Sequence, residues 1–340
     1  AEYIWRLWCL VFCGPAHHLS TKLLKEFVIR GELSGASGAD LMATLHVFFQ
    51  DVLVEKLTAL AARYPDYANY LSIVGGCGLN IKWNSAIRNT GVFRDVWVPP
   101  FPNDSGSALG VACCEMVAQG GPLHLDWHAY LGPHLKDNTD SLPDWDSAPC
   151  SLQELAYILH TYNEPVVYLN DRAELGPRAL GNRSILAAPV SPEMKKTLNR
   201  AKKREDYRPV APICMEEYAA EIFSPGSSDP YMLFDHKVKP DWLEKIPAVC
   251  HLDGTARLQT VSEAGNQEVY TLIDAYRKLS GVPLLCNTSA NYNGSGFFPD
   301  VKSAMEWDKV PNIYSEGKIY FKKPSPLEQH FAGSEMQAEV

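Results

Sequence analysis

The segment Asp171–Leu186 reads DRAELGPRALGNRSIL. Arg172, Arg178 and Arg183 stand among Gly176, Pro177 and Gly181, and Asn182 and Ser184 add two small polar groups. Arginines punctuated by Gly and Pro give neither an amphipathic helix nor an ordinary strand. The pattern predicts a loop that gathers backbone N–H groups and guanidinium forks in one place. Its flanks, residues 165–169 (PVVYL) and 185–188 (ILAA), are apolar and predict buried strands. A cationic loop between core strands is an anion site or a structural arginine network pairing with Glu174 and Asp171. Spacing leaves both readings open.

Working outward, size and composition bound the rest. A chain of 340 residues suggests two domains, and 46% hydrophobic with 21% charged residues describes an ordinary globular protein. The net charge of −9 gives no general basic face for nucleic acid, so any anion binding is local. No apolar run is long enough to span a bilayer. Residues 4–13 (IWRLWCLVFC) have a signal-like apolar core, but an internal arginine and no preceding basic segment make them read as part of a larger core. Nine cysteines in apolar settings, with no CxxC pair, fit small core residues in a reducing cytoplasm rather than a disulfide framework.

Before the arginine segment, residues 39–64 repeat apolar positions at helical spacing, from Leu41 through Leu45, Phe48, Val52, Leu53, Leu57 and Leu60. Residues 70–80 run from a short apolar strand into Gly75 and Gly76, then Asn80 and a helix reaching Ile87. A strand, glycine turn and helix can present backbone donors to a phosphate, or can be a plain tight turn. Residues 93–99 predict a strand and 107–119 a helix. Asp104, just before that helix, is a metal ligand or an N-cap. His124 and His128 (HLDWH) have helical metal-pair spacing, yet Gly120, Gly121 and Pro122 argue against a helix there. His17-His18 lacks that geometry. Residues 136–149 are polar and read as a linker.

After the segment, residues 194–208 are basic, with Lys202, Lys203, Arg204 and Arg208, and enter an apolar strand at 210–215. Residues 225–240 read as a loop and residues 251–261 as a polar strand carrying Asp253 and Arg257. A helix over 269–279 and a buried strand over 282–286 follow, and the strand ends in Asn287-Thr288-Ser289-Ala290-Asn291. A short helix at 301–307, a strand at 317–321 and a disordered tail from Pro324 complete the reading. Arg172, Arg178, Arg183, Lys202, Arg208 and Arg257 are too many fixed cations to bury together without anions. No Ser-His-Asp order, Cys–His pair or twin carboxylate offers a covalent nucleophile. The composition suits holding ready-activated phosphate compounds.

Four strings, RAELGPRALGNRSIL, KKREDYRPVAP, HLDGTARLQTV and LLCNTSAN, occur in this order. Together they resemble the C-terminal, YrdC-like domain of the O-carbamoyltransferases of antibiotic and nodulation-factor biosynthesis. GGCGLN (75–80) and PFPNDSGSALG (100–110) resemble the end of that family's first domain, an actin-like ATPase fold similar to TsaD. The resemblance runs from about Leu41 to about Phe321. It implies an α/β chain: a partial TsaD-like domain over residues 1–145, then a YrdC-like domain over 146–340 with a twisted mixed sheet. It implies conversion of carbamoyl phosphate and ATP, with Mg2+, to a carbamoyl-adenylate, and transfer of the carbamoyl group to a hydroxyl of a natural-product acceptor. Arg183, Lys202, Arg208 and Arg257 would hold phosphates, with Arg172, Arg178, Ser184, Asn287, Ser289 and Asn291 completing the pocket. Gly75, Gly76 and Asn80 would contact nucleotide. Asp104 would ligate Fe2+ or another divalent metal, given further histidine ligands. The family's long opening segment with its HxxxH pair has no match here, which implies a fragment, a short homologue, or a homodimer or partner chain supplying that half. Two other readings are a tRNA threonylcarbamoyl-modification factor, against which the acidic net charge speaks, and a nucleotide-binding partner without transfer activity.

Overall fold

The structure is a computed structural model that describes residues 25–31, 35–138, 142–292 and 296–338, with no side-chain description for 333–338. The signal-like stretch at 4–13 and His17-His18 lie outside the described residues. The chain divides into two compact units: Ala1–Tyr70 with Ala86–Asp95, and Leu71–Ser85 with Val96–Val340.

In the first unit, helix α1 covers Gly38–Arg63. It starts where Ser37 and Asp40 close a reciprocal capping box and stops at Tyr64, before Pro65. Its expected apolar stripe is only half covered: Leu41 is buried, Leu45, Phe48, Val52 and Leu57 are half-buried, and Leu60 is exposed.

The second unit holds an eight-stranded mixed sheet. In order across it, the strands are β10 (Gln259–Val261), β6 (Ala211–Met215), β11 (Leu284–Ser289), β5 (Arg183–Ala187), β4 (Val166–Leu169), β12 (Asn312–Ser315), β13 (Lys318–Lys322) and β3 (Trp145–Pro149). β4 and β12 pair in parallel, as do β6 and β10. The other neighbours are antiparallel. Every residue of β4, β5 and β6 is buried, which is why β4, β6 and residues 185–187 of β5 are continuous apolar runs rather than alternating ones. Helices α4 (Leu152–Thr161) and α8 (Gln267–Ser280) pack against each other and bury Leu155, Ile158, Leu159, Leu272, Ile273 and Tyr276 in the core.

Several expectations shift. Residues 145–149 are not linker but an edge strand paired to β13. The basic run 194–208 opens in helix α5 (Pro192–Ala201), which ends just before Lys203, whose φ of 50° is left-handed. Residues 251–261 form a turn, the two-residue strand β9 (Thr255–Ala256) and then β10. The loop at 225–240 contains a strand, β8 (His236–Val238). β11 continues through Ser289, so the Asn-Thr-Ser cluster lies in the sheet. The tail forms helix α10 (Leu327–Ala338), whose Leu327 is fully buried.

Candidate functional site

β4 and β5 are antiparallel neighbours, so the arginine segment is the long connection folded over their ends. Its internal anchor is Glu174, which is 4% exposed. Glu174 Oε1 accepts from the backbone N–H groups of Leu180 at 2.7 Å, Asn182 at 2.7 Å and Arg183 at 3.1 Å. The backbone donors expected to meet a ligand therefore meet the chain's own carboxylate. Burial raises the Glu174 pKa, and those three N–H groups oppose the rise. Gly176 makes the fold of the loop possible: its φ is +92°, and a Cβ there would lie 2.2 Å from the Pro100 carbonyl oxygen.

Arg183 is 1% exposed and serves this same loop. Its guanidinium donates to the carbonyls of Asn170 at 2.6 Å, Asp171 at 2.8 Å and Asn182 at 2.9 Å, with Pro133 at 3.5 Å. Arg172 likewise donates to Gly132 and Leu131 carbonyls at 2.8 and 2.7 Å. Both arginines are spent on backbone oxygens. Part of the cationic loop is thus the structural network that spacing could not distinguish from an anion site.

The remaining arginine, Arg178, joins Arg204, Arg208 and Arg257 around a cavity of about 190 Å³ that Asn287, Thr288 and Ser289 also line. Among the described residues no Asp or Glu lines it. The Nε atoms of Arg178 and Arg257 are buried without a hydrogen-bond partner among the described residues. Burial, then the charges of Arg178 and Arg204, push the Arg257 guanidinium down to about 9. Burial lowers Arg178 too, and burial followed by the Arg208 charge lowers Arg204. Arg204 is held by Asn199 Oδ1 at 2.6 Å and reaches Thr288 Oγ1 at 3.3 Å. Arg208 is more than half exposed and pairs with Glu205 at 2.8 Å. Like charges crowded in a half-buried space, with no carboxylate among the described residues that line it, suit an anion.

Lys202 lies beneath the end of β11. Its Nζ donates to the carbonyls of Ser289 at 2.9 Å and Asn291 at 3.0 Å and to Asn291 Oδ1. Burial, then Arg204, lowers it to about 8. It fixes the strand end that carries the cavity's polar side chains. A neighbouring cavity of about 570 Å³ shares Pro177 with the first and is lined by Glu174, Arg183 and Asn291. Ser184 sits fully buried within the sheet, its hydroxyl without a partner among the described residues, and lines neither cavity.

The expected strand, glycine turn and helix occur as β1 (Tyr70–Ser72), Gly75 and Gly76, and α2 (Ile81–Asn89). Asn80 is the cap: its Oδ1 accepts from the N–H groups of Lys82 and Trp83 at 3.2 and 3.3 Å. Gly75 and Asp104 line a third, largely apolar cavity of about 630 Å³ with Trp97, Phe101 and Trp127. Asp104 opens a short 3-10 turn leading into α3 (Ser107–Ala118). His124 and His128 lie in irregular chain, not on a helix. Among the described residues no group of three His, Cys, Asp or Glu side chains could hold a metal ion. The donors present around Asp104 do not by themselves fit a metal.

Sequence reasoning missed Arg204 and Thr288. Arg204 was visible only as one cation in a run, and its selection follows from Lys203, whose left-handed backbone ends the helix and turns the chain toward β6.

In this α/β chain the arginine-lined cavity of about 190 Å³ is of a size and charge that suit a small anion. Comparison with known proteins narrows this. Residues 159–312 match the carbamoyltransferase C-terminus family and residues 15–113 the carbamoyltransferase N-terminus family. The match thus begins earlier than the expected Leu41. Nodulation protein U of Sinorhizobium fredii (strain NBRC 101917 / NGR234) is 55% identical over 296 residues, covering 86% of this chain and 52% of that protein. The 3'-hydroxymethylcephem-O-carbamoyltransferase of Amycolatopsis lactamdurans is 42% identical over 248 residues, 72% of this chain and 47% of that protein. The chain belongs to this carbamoyltransferase family, a family of enzymes. It spans about half the length of the curated relatives it matches. Full-length HypF in its phosphate- and nucleotide-bound form aligns with 52% of the chain at a TM-score of 0.34 and 16% identity, too distant to argue from. No described helix is long and apolar enough to cross a membrane.

Proposed function

We propose that the chain binds carbamoyl phosphate in the arginine cavity and carries out O-carbamoyl transfer, wholly or in its activating half. One observation carries the reading: Arg178, Arg204 and Arg257 converge with two buried Nε donors that have no partner, and no carboxylate beside them, among the described residues. A cavity of about 190 Å³ is smaller than the ~300–1,000 Å³ usual for larger ligands and suits a small acyl phosphate. ATP would extend from it toward the cavity lined by Arg183 and Asn291.

In this reading water cleaves carbamoyl phosphate to carbamate and inorganic phosphate. The carbamate oxygen attacks the α-phosphorus of ATP, and pyrophosphate leaves. Charge grows on phosphoryl oxygens, where the guanidinium N–H donors of Arg178, Arg204 and Arg257 stabilise it. A hydroxyl then attacks the carbonyl carbon of the mixed anhydride, and AMP leaves. Lys202, Arg183 and Arg172 position the cavity walls; Arg208 lies at its mouth. The third cavity, with Gly75 and Asp104, is the place we assign to the acceptor, and no step is routed through a metal there. The division into a TsaD-like part (1–145) and a YrdC-like part (146–340), and a cytoplasmic location, belong to the same proposal.

The test is to incubate the protein with carbamoyl phosphate, ATP and Mg2+ and to follow pyrophosphate and carbamoyl-AMP. Formation of both, reduced at least about tenfold in Arg204→Ala, is expected. Absence of both from well-folded protein that also fails to bind carbamoyl phosphate sinks the reading.

A further inference from the structure

A fourth cavity, of about 890 Å³, shares no lining residue with the three described above. Three parts of the second unit meet around it. They are Asn170 with Asp171 and Asn182, the first turn of α8 at Glu268, and the β12–β13 turn at Glu316. Its charge is the reverse of that in the arginine cavity. Asp171, Glu268 and Glu316 line it, and among the described residues no Lys or Arg does. Carboxylates at a surface are ordinarily answered by water and salt, so the acids alone define no site.

The floor gives an independent sign. Asn170 lines the cavity and is 8% exposed. Its backbone is committed: the N–H donates to the Asn182 carbonyl at 3.1 Å, and its carbonyl accepts from Arg183 at 2.6 Å. Its neighbour Asn182 is committed through the side chain, donating to the Arg172 carbonyl at 2.8 Å and accepting from Asn266 Nδ2 at 2.9 Å. The Asn170 amide bonds to no described residue. It keeps an acceptor and a pair of donors for whatever fills the cavity, and such a group is costly to leave unmade when nine-tenths of it is out of water.

A single metal ion does not suit this arrangement. It would need oxygen ligands converging on one point, and among the described residues no three His, Cys, Asp or Glu side chains stand close enough to hold one. The negative charge is spread instead around a space that suits a ligand of many atoms. Glu268 is fixed by the Tyr168 hydroxyl, which donates to its Oε2 at 3.1 Å. The N-terminal end of α8 disfavours a cation, and Glu268, in that first turn, offsets it. We propose that the cavity binds a small polyamine, a ligand with two or more ammonium groups, through Glu268 and Glu316, with Asn170 accepting one of its N–H groups. This site is separate from the arginine cavity and does not rest on the carbamoyl phosphate reading.

Calorimetric titration of the protein with spermidine, at low and at physiological ionic strength, tests this. Saturable binding of one spermidine per chain is expected, weaker at the higher salt. The double variant Glu268→Gln with Glu316→Gln should weaken it by about tenfold or more, and Asn170→Ala by about threefold. Both glutamates are exposed, so the double variant should fold, and it decides alone if Asn170→Ala does not. Absence of binding, or several weak equivalent sites, would overturn the proposal, as would an unaltered affinity in either folded variant. Competition with Mg2+ is the last arm. Equimolar Mg2+ should displace little spermidine, and full displacement would show a site for a divalent ion and sink the polyamine assignment.

Discussion

Single side chains in this protein carry their electrostatics in opposite ways. Lys82 holds Asp235 and Asp253 at 2.5 Å each; burial raises the Asp253 carboxyl, but the bonds from Lys82 and Thr255 outweigh it and hold it well below the usual range. His251, next to them, has the reverse balance. Burial, then the charge of Arg257, lowers its imidazole to about 4, against which Asp253 pulls only partly. Its neutral form is the native one, with Nδ1 3.0 Å from Thr255 Oγ1. The unfolded imidazole takes a proton at about 6.5, so the unfolded state binds more protons between those values. His251 therefore stabilises fully above pH 6.5, and that stability is lost as the pH falls toward 4, by at most about 3 kcal/mol. Urea titrations at pH 7 and pH 4.5 should show a smaller acid loss for His251→Gln than for wild type. An identical loss would remove His251 from the acid transition.

At the scale of elements, the loop between β4 and β5 is held by a carboxylate inside and a guanidinium outside. Arg183→Ala removes four donations to carbonyls and opens space in a position 1% exposed. The variant should lose about 3 kcal/mol of stability, as buried-network breaks do. An unchanged urea midpoint would contradict this assignment and restore a ligand role for Arg183. What the sequence disclosed about this region follows from the same physics. The flanks were legible because a strand covered on both faces is written as an unbroken apolar run, as in Val166–Leu169 and Ile185–Ala187. The division of labour among the arginines was not, because Arg183 and Arg178 look alike until Glu174 folds the chain between them. Asn287-Thr288-Ser289 read as the end of the strand over 282–286 rather than its continuation, since polar residues are rare in a central strand. Lys202 beneath them explains why the strand can continue.

On the scale of the whole molecule, the second unit is closed by an element that composition had suggested was loose. α10 is polar overall, yet Leu327 is fully buried, Phe331 stacks on Phe321 with centroids 6.1 Å apart, and His330 bonds Glu154 and stacks on Tyr157 at 5.5 Å. Phe321 belongs to β13, second from the sheet's edge, so the helix shields one end of the eight strands. Ending the chain after Ser325 should cost roughly 2 kcal/mol or more from the buried leucine and the aromatic contacts. A lower melting temperature with greater light scattering on heating is the expected signature; an unaltered melt would show that α10 is not part of the cooperative unit.

The carboxylate of Glu174 has one more consequence. By filling the turn's backbone donors itself, it allows the loop to reach its final shape before any ligand arrives. The conformational entropy of ordering residues 174–183 is settled when the chain folds and is not subtracted from binding. In the proposed reading Arg178, the arginine of that loop that lines the cavity, would meet its anion as a rigid group. Association should therefore be fast and governed by ionic strength rather than by a slow rearrangement, as expected for a receptor that is built in advance.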